Sequence, residues 1–385
     1  DELELLPLKI NVRVRGFQVH NKSVREAHAG QRTAVNIAGI DTAQIERGMV
    51  LAPVGRLRPT QIVDARIDVL PGASRAVRSR SRVRFHIGAT EVLGRVRVLE
   101  EGSQIEAGNF GLAQLRLEAP VVAVHGDRFI LRSYSPAETI AGGVIVDPFA
   151  TKHRAREMGN TLQLLGLLMR DERPAKFEGF VRASGTRGLR LADVAAATGW
   201  TDEVLGKLAS EVQQHGSVID VGGLYIAREN LDRLSAAVMD ELDRHHKREP
   251  LARGMLRETL RDKVFAHSAP ELFSGVLAQL EADGKVVAEK DIVRSSGHSV
   301  GLSDQDVALS KRIEEIYLVA GVEAPSLDEA MTKANVPAAQ RAQARKLLQL
   351  LLDERKLVRI QGEMFMHSQV VQDLKTKLHA YASQH

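Results

Sequence analysis

The 385-residue sequence contains no cysteine, which excludes disulfides, zinc ribbons, iron–sulfur clusters and thiol nucleophiles. No run of about 18 apolar residues occurs, so no helix is expected to cross a membrane. No apolar leader-like segment opens the chain, and a reducing cytoplasm is the expected location. Nucleotide and metal signatures are missing too: there is no G-x-x-x-x-G-K-[ST] phosphate loop, no H-E-x-x-H and no EF-hand loop. Asn21-Lys22-Ser23-Val24 lacks the aspartate of a guanine-reading element, and the adjacent His245 and His246 point to different sides of a helix. The residues present therefore predict neither a nucleotide nor a metal site. Aromatic residues are only 4% of the chain, and the single tryptophan, Trp200, reads as core packing between two helices.

What is present is a soluble-protein composition, 44% apolar and 26% charged, which excludes disorder, collagen and a coiled-coil rod. The net charge of +4 is unevenly placed. Residues 1–150 hold 20 Lys/Arg against 16 Asp/Glu, and 18 of those 20 cations are arginine; residues 151–385 hold 33 of each sign. Arginine's planar fork suits phosphate oxygens. The densest run is Arg75, Arg78, Arg80, Arg82 and Arg84. The last three alternate along an expected strand and so are expected to share one face. That pattern fits an RNA backbone, and it also fits an edge strand protected by charge.

Texture changes near residue 150. Before it, Leu8–Arg15, Thr33–Ala38, Gln61–Leu70, Val83–Ile87, Gly94–Leu99, Phe110–Leu117, Val121–Val124, Arg128–Tyr134 and Ala141–Val146 are short, rich in Val and Ile, and punctuated by turn residues. Many close-spaced short strands predict barrels or sandwiches. After residue 150 the chain is helical and carries a repeat. Three times an apolar helix ends in a turn and a hairpin: Leu208–His215 before Val218, Val276–Asp283 before Val286, and Leu347–Glu354 before Leu357. The aligned turn residues are Gly216, Gly284 and Arg355. A short helix precedes each unit's longer one, with Thr201 an expected N-cap, Ser268 and Glu271 an expected capping box, and Pro337 at a first-turn position. Helix, turn, helix and a two-stranded wing is the winged form of helix-turn-helix. Such units bind nucleic acid, and they also serve as spacers or protein-docking modules. The zero net charge and the lack of a basic stripe on the second helices leave both roles open.

Gly297-His298-Ser299-Val300-Gly301 spells a literal G-x-S-x-G. A nucleophile elbow requires a buried strand before the serine and a helix after it. The polar stretch 289–296 supplies no such strand, so the motif reads as a linker between winged units.

Val14-Arg15-Gly16-Phe17-Gln18-Val19-His20 followed by Ala29-Gly30-Gln31-Arg32-Thr33-Ala34-Val35-Asn36-Ile37 resembles the second domain of translational GTPases. With this histidine and Gly-Gln-Arg, the resemblance is to the selenocysteine-specific elongation factors. Gly126–Pro136 followed by Ile140–Ile145 is similar to that family's third domain, and the tandem winged helices match its bacterial members. The resemblance implies a multidomain fold: all-β barrels of the translation-factor domain II and III type, then mainly α tandem winged helices. The expected divisions are 1–72, a partial domain II barrel; 73–150, the domain III barrel; 151–227, 228–298 and 299–370, three winged helices; and 371–385, the start of a fourth.

It further implies a fragment of a longer GTPase, with a GTPase domain before Asp1 and the rest of a fourth winged helix after Tyr381. No cofactor is expected for the fragment; GTP and Mg belong to the full-length family member. The implied partners are selenocysteyl-tRNA, the ribosome and an mRNA hairpin gripped by the last winged helix, with the protein a monomer. Arg32, and with it His20, maps to the pocket that favours an ionised selenol. Arg75, Arg78, Arg80, Arg82 and Arg84 are the candidates for the tRNA backbone. Two alternatives remain: a general tRNA carrier of the elongation factor Tu type, and a DNA-binding regulator built on the winged units.

Overall fold

The structure, a computed structural model, describes residues 2–298 and 304–382. Ser299, with Val300 and Gly301 of the G-x-S-x-G sequence, lies outside the described residues. The chain packs into two compact units, residues 1–233 with 267–275, and residues 234–266 with 276–385.

The first unit opens with strands β1 (Glu2–Leu6), β2 (Ile10–Val19), β3 (Lys22–Val24), β4 (Thr33–Ala38) and β5 (Val50–Pro53). They form one antiparallel sheet in the order β3-β2-β1-β5, with β4 also on β2. The β2–β4 register slips between Val14 and Gly16, a bulge that bends β2. Eight more strands follow: β6 (Pro59–Val69), β7 (Val77–Arg78), β8 (Arg82–Ile87), β9 (Thr90–Val98), β10 (Gln104–Ile105), β11 (Phe110–Val122), β12 (Arg128–Ser133) and β13 (Thr139–Asp147).

Six of them close a barrel in the order β11-β6-β13-β12-β8-β9, with β9 returning to β11. Strand alternation turns Val63, Ala65, Ile67, Val83, Phe85, Val96, Ala113, Leu115, Leu131 and Ile145 inward as one core. Closure leaves no edge strand to protect, which removes the charged-edge explanation for the arginines of β8. Gly143 on β13 is dictated by packing: a Cβ there would lie 2.2 Å from the Arg66 carbonyl oxygen and 2.5 Å from Phe129. A division at residue 72 would assign the strand at 61–70 to the first barrel. Instead β6 pairs with both β11 and β13, so residues 59–69 belong to the closed barrel.

The first unit continues with helices α1 (Met158–Leu168), α2 (Arg173–Ala183), α3 (Leu191–Thr198) and α4 (Asp202–Gln214) and the hairpin β14 (Val218–Val221) and β15 (Leu224–Ala227). Their core is continuous with the outer face of the barrel: Leu99, Leu112 and Val146 pack in one cluster with Leu165, Leu168, Phe177, Phe180, Val194 and Leu205. Trp200 packs against this cluster, as its sequence position suggested.

Farther along the chain come α5 (Arg228–Arg248), β16 (Met255–Leu256), α6 (Arg257–Val264), α7 (Pro270–Ala282), β17 (Val286–Glu289) and β18 (Ile292–Ser295), with a three-stranded sheet in the order β16-β18-β17. Then follow α8 (Asp304–Ala320), α9 (Leu327–Lys333), α10 (Arg341–Asp353), the hairpin β19 (Leu357–Gln361) and β20 (Met364–His367), and α11 (Ser368–Ala382).

The three aligned turn residues share a conformation, with φ of 72° at Gly216, 67° at Gly284 and 60° at Arg355. Each follows the end of the longer helix, where a left-handed residue lets the chain turn into the wing. The caps divide. Thr201 caps α4, accepting from the Val204 N–H, and Ser326 with Glu329 forms a capping box on α9. At α7 the helix starts at Pro270, and Glu271 accepts from Arg190 at 2.6 Å.

Candidate nucleic-acid interface

Alternation that buries Val83, Phe85 and Ile87 must place Arg82, Arg84 and His86 on the outside of the barrel. The same rule puts Arg95 and Arg97 of β9, and Gln114 and Arg116 of β11, on that outer face. Register then aligns them: Arg82 lies opposite Arg95, and Arg95 opposite Arg116. Three directly opposed arginines across three strands repel one another, and a sheet does not gain stability from such a row.

The structure treats the members of this row differently. Arg82 donates from Nε and Nη2 to the two carboxylate oxygens of Glu118 at 2.9 and 2.8 Å. Arg84 donates to Glu91 at 2.7 Å. These hydrogen bonds hold the Glu118 and Glu91 carboxyls below their ordinary range. Both guanidinium groups also lie over Tyr134, at 4.7 Å for Arg82 and 5.8 Å for Arg84.

Arg80, Arg95, Arg97 and Arg116, by contrast, form no ion pair among the described residues. With Ser79 and Ser103 they line an open concavity of about 750 Å³. Arg97 and Arg116 are half-buried, while Arg80 and Arg95 are exposed. Such a grouping can bind an extended polyanion: four guanidinium groups face one depression, each with donors to spare.

The expectation that Arg80, Arg82 and Arg84 share one strand face is corrected here. Arg80 precedes β8 in a turn with φ of 71°, its backbone N–H donating to the Val96 carbonyl. It reaches the concavity from the turn. Arg78 is exposed on β7, and Arg75 lies in the preceding loop, where it donates to the Ser135 carbonyl at 3.2 Å. The residues that sequence reading missed are Arg95, Arg97 and Arg116. The Arg95-x-Arg97 spacing was visible, but the register that sets them beside Arg82 was not.

His20 and Arg32 lie elsewhere in the first unit. The β2–β4 ladder ends with Val19 opposite Thr33. The next residue past each end is His20 on one chain segment and Arg32 on the other, so both lie at one end of the first sheet. Both are exposed, and His20 is in the left-handed region at φ of 51°.

The winged units carry less. In the first, the N-terminus of α4 is already engaged: Arg56 donates to Asp202 at 2.7 Å and to the Trp200 carbonyl at 2.5 Å, and Arg58 pairs with Asp193 of α3. Of the N-terminal residues that such helices direct to base edges, Asp202 is thus paired with Arg56. Among the described residues no group of three or more His, Asp or Glu is arranged to hold a metal, and no helix is long and apolar enough to cross a membrane.

Two family models match the chain: the β-barrel domain of the selenocysteine-specific elongation factor over residues 64–152, and the winged helix of elongation factor SelB over residues 239–294. The first model begins within β6, in keeping with that strand's place in the closed barrel. A selenocysteine-specific elongation factor of Desulfomicrobium baculatum is similar at 31% identity over 95% of this chain and 57% of its own length. The factor of that name from Escherichia coli (strain K12) is similar at 26% identity, over 82% of this chain and 48% of its own. The chain thus spans about half the length of the curated relatives it matches. Among solved structures, a bacterial selenocysteine-specific elongation factor superposes with a TM-score of 0.61 at 17% identity, over 97% of this chain and 55% of that one, a likeness of fold.

Proposed function

This chain is built of the β-barrel and winged-helix parts of a SelB-type elongation factor, and from that premise we propose that it binds selenocysteyl-tRNA through the barrel. The observation that carries this reading is the arginine concavity, one depression on the barrel wall lined by four arginines that form no ion pair among the described residues. A tRNA backbone offers regularly spaced phosphates to such a surface, and their neutralisation releases condensed counterions. Arg82 and Arg84 extend the same face as a second rank, since a phosphate must compete there with Glu118 and Glu91.

Arg32 and His20 are the proposed amino-acid pocket. Selenolate is anionic at neutral pH whereas a serine hydroxyl is neutral, so a fixed cation separates the two. In the whole protein, delivery to the ribosome at a recoded UGA, with an mRNA hairpin held through the winged helices, completes this reading. On this reading GTP and Mg are cofactors of the full-length family member, a proposal that rests on the likeness to the selenocysteine-specific elongation factors.

The test measures binding of selenocysteyl-tRNA and seryl-tRNA against salt. Arg95→Ala with Arg116→Ala should flatten the log–log salt slope for both tRNAs by about 1.5, at about 0.7–0.9 per phosphate contact. Arg32→Ala should leave the slope nearly unchanged and weaken selenocysteyl-tRNA selectively, by about five- to thirty-fold. An unchanged slope in the double variant overturns the groove. Equal weakening of the two tRNAs by Arg32→Ala overturns the pocket.

A further inference from the structure

Beside the arginine row runs a second polar row, from Arg97 on β9 to Gln114 on β11, Asp64 on β6 and Asp147 on β13. Two of its members are fully covered: Gln114 is 0% exposed and Asp64 1%. The cover is the segment that leaves the barrel after β13. The Gln114 amide nitrogen donates to Asp64 at 3.1 Å and to the Thr151 carbonyl at 2.9 Å. Its amide oxygen accepts from Arg116 Nε at 3.1 Å. The other carboxylate oxygen of Asp64 meets His153 Nε2 at 2.6 Å, and the His153 carbonyl accepts from Arg97 at 2.8 Å.

The bonds therefore connect Arg116, Gln114, Asp64, His153 and Arg97 in sequence. Both of its ends are arginines of the concavity, and its middle is buried. The chemistry at position 114 is restrictive. A carboxylate on one side requires a donor, and a guanidinium on the other requires an acceptor. A neutral amide of this length supplies both. Glutamate would set a second negative charge against Asp64, lysine has no acceptor, and an apolar side chain strands both neighbours.

We propose that Gln114 is a positioning residue for the arginine concavity, holding Arg116 directly, and Arg97 through Asp64 and the 151–153 segment, so that both guanidinium groups face the same anion. Arg116 spends only Nε on this role, and Arg97 one terminal nitrogen, leaving the remaining N–H groups for phosphate oxygens. The inference rests on the groove reading given above.

The experiment follows binding of a tRNA transcript carrying no amino acid to the full chain, so that the amino-acid pocket plays no part. Gln114→Met, similar in length but without polar ends, should weaken binding about five-fold, the effect of one lost contact, and flatten the salt slope by about one. The loss should shrink in an Arg116→Ala background, nearly vanish when Arg97→Ala is added to it, and persist in full in an Arg80→Ala background, because Arg80 touches none of these bonds. His153→Gln, on the partly exposed covering segment, provides a second variant should Gln114→Met fold poorly. Its loss should be about three-fold and absent in an Arg97→Ala background. A purely structural role predicts lowered thermal stability with an unchanged salt slope and equal losses in every background, and that result overturns the proposal. If Arg80→Ala weakens binding and neither Gln114→Met nor His153→Gln does, positioning is refuted while the groove stands. If none of them weakens it, both readings fall.

Discussion

Asp147 shows what one half-buried carboxyl does to this molecule. It ends β13 opposite Asp64, and burial is the main force raising its pKa, from 3.8 to about 6. The Phe149 N–H, donating at 2.9 Å, works in the other direction, as does His153, while the Asp64 charge adds to the rise. A carboxyl with a raised folded-state pKa contributes stability that is complete below 3.8 and is lost as the pH climbs through about 6. Asp147→Asn keeps an acceptor for Phe149 and removes the charge. We expect it to be more stable than the parent at pH 8, by up to about 3 kcal/mol at about 1.4 kcal/mol per unit, and equal to it at pH 4. Thermal melts at the two pH values measure this; a variant less stable at pH 8 contradicts the assignment. At the same scale, the arginines divide by their partners rather than by their spacing. Arg82 and Arg84 are hydrogen-bonded to carboxylates, whereas Arg95 and Arg116 form no ion pair among the described residues.

At the scale of single elements, the three helix-to-wing turns use one left-handed residue each, but only two use glycine. Arg355 adopts φ of 60° where Gly216 and Gly284 sit in the other copies. A side chain in that conformation costs about 1–2 kcal/mol, part of which glycine returns through its freer unfolded state. Arg355→Gly should therefore stabilise the third winged helix by about 0.5–1 kcal/mol, read as a rise in its denaturant midpoint. Gly216→Arg in the first copy should do the reverse. If both substitutions are neutral, the turn carries no strain. The alignment of these turns was readable from sequence because helix, turn and hairpin are each set by near neighbours. The partner of Glu271 was not, because Arg190 lies 81 residues away in sequence.

At the scale of the whole molecule, the barrel and the first winged helix are built around shared apolar residues rather than beside each other. Leu112 and Val146 project from the barrel's outer face into the same cluster as Leu168 and Phe180. Leu168 is 1% exposed, and Leu168→Ala should cost about 2–5 kcal/mol. Hydrogen exchange shows where that cost falls. Protection should drop in β11 and β13 as well as in α1 and α2, since a shared core opens as one cooperative body. A loss confined to the helices would mean that the two parts fold independently. This arrangement makes the first winged helix a buttress of the barrel, with Asp202 at its α4 N-terminus paired to Arg56.

The sequence by itself determined the elements and their kinds. Period-two alternation before residue 150, three helix–turn–hairpin copies after it, and arginine in preference to lysine in the first part are all properties of residues within a few positions of one another. The Gly-Gln-Arg and Gly126–Pro136 stretches sufficed for the resemblance to the selenocysteine-specific elongation factors. Tertiary structure alone decided which residues meet. It put β6 in the closed barrel instead of the sheet before it, moved Arg80 off the strand, set Arg95 and Arg116 beside Arg82, and joined Gln114 to Asp64 across 50 positions. Each of these depends on strand register, and register is set when distant strands bury a common core. A shift of one residue would turn Arg95, Arg97 and Arg116 inward without altering the local pattern that announces a strand.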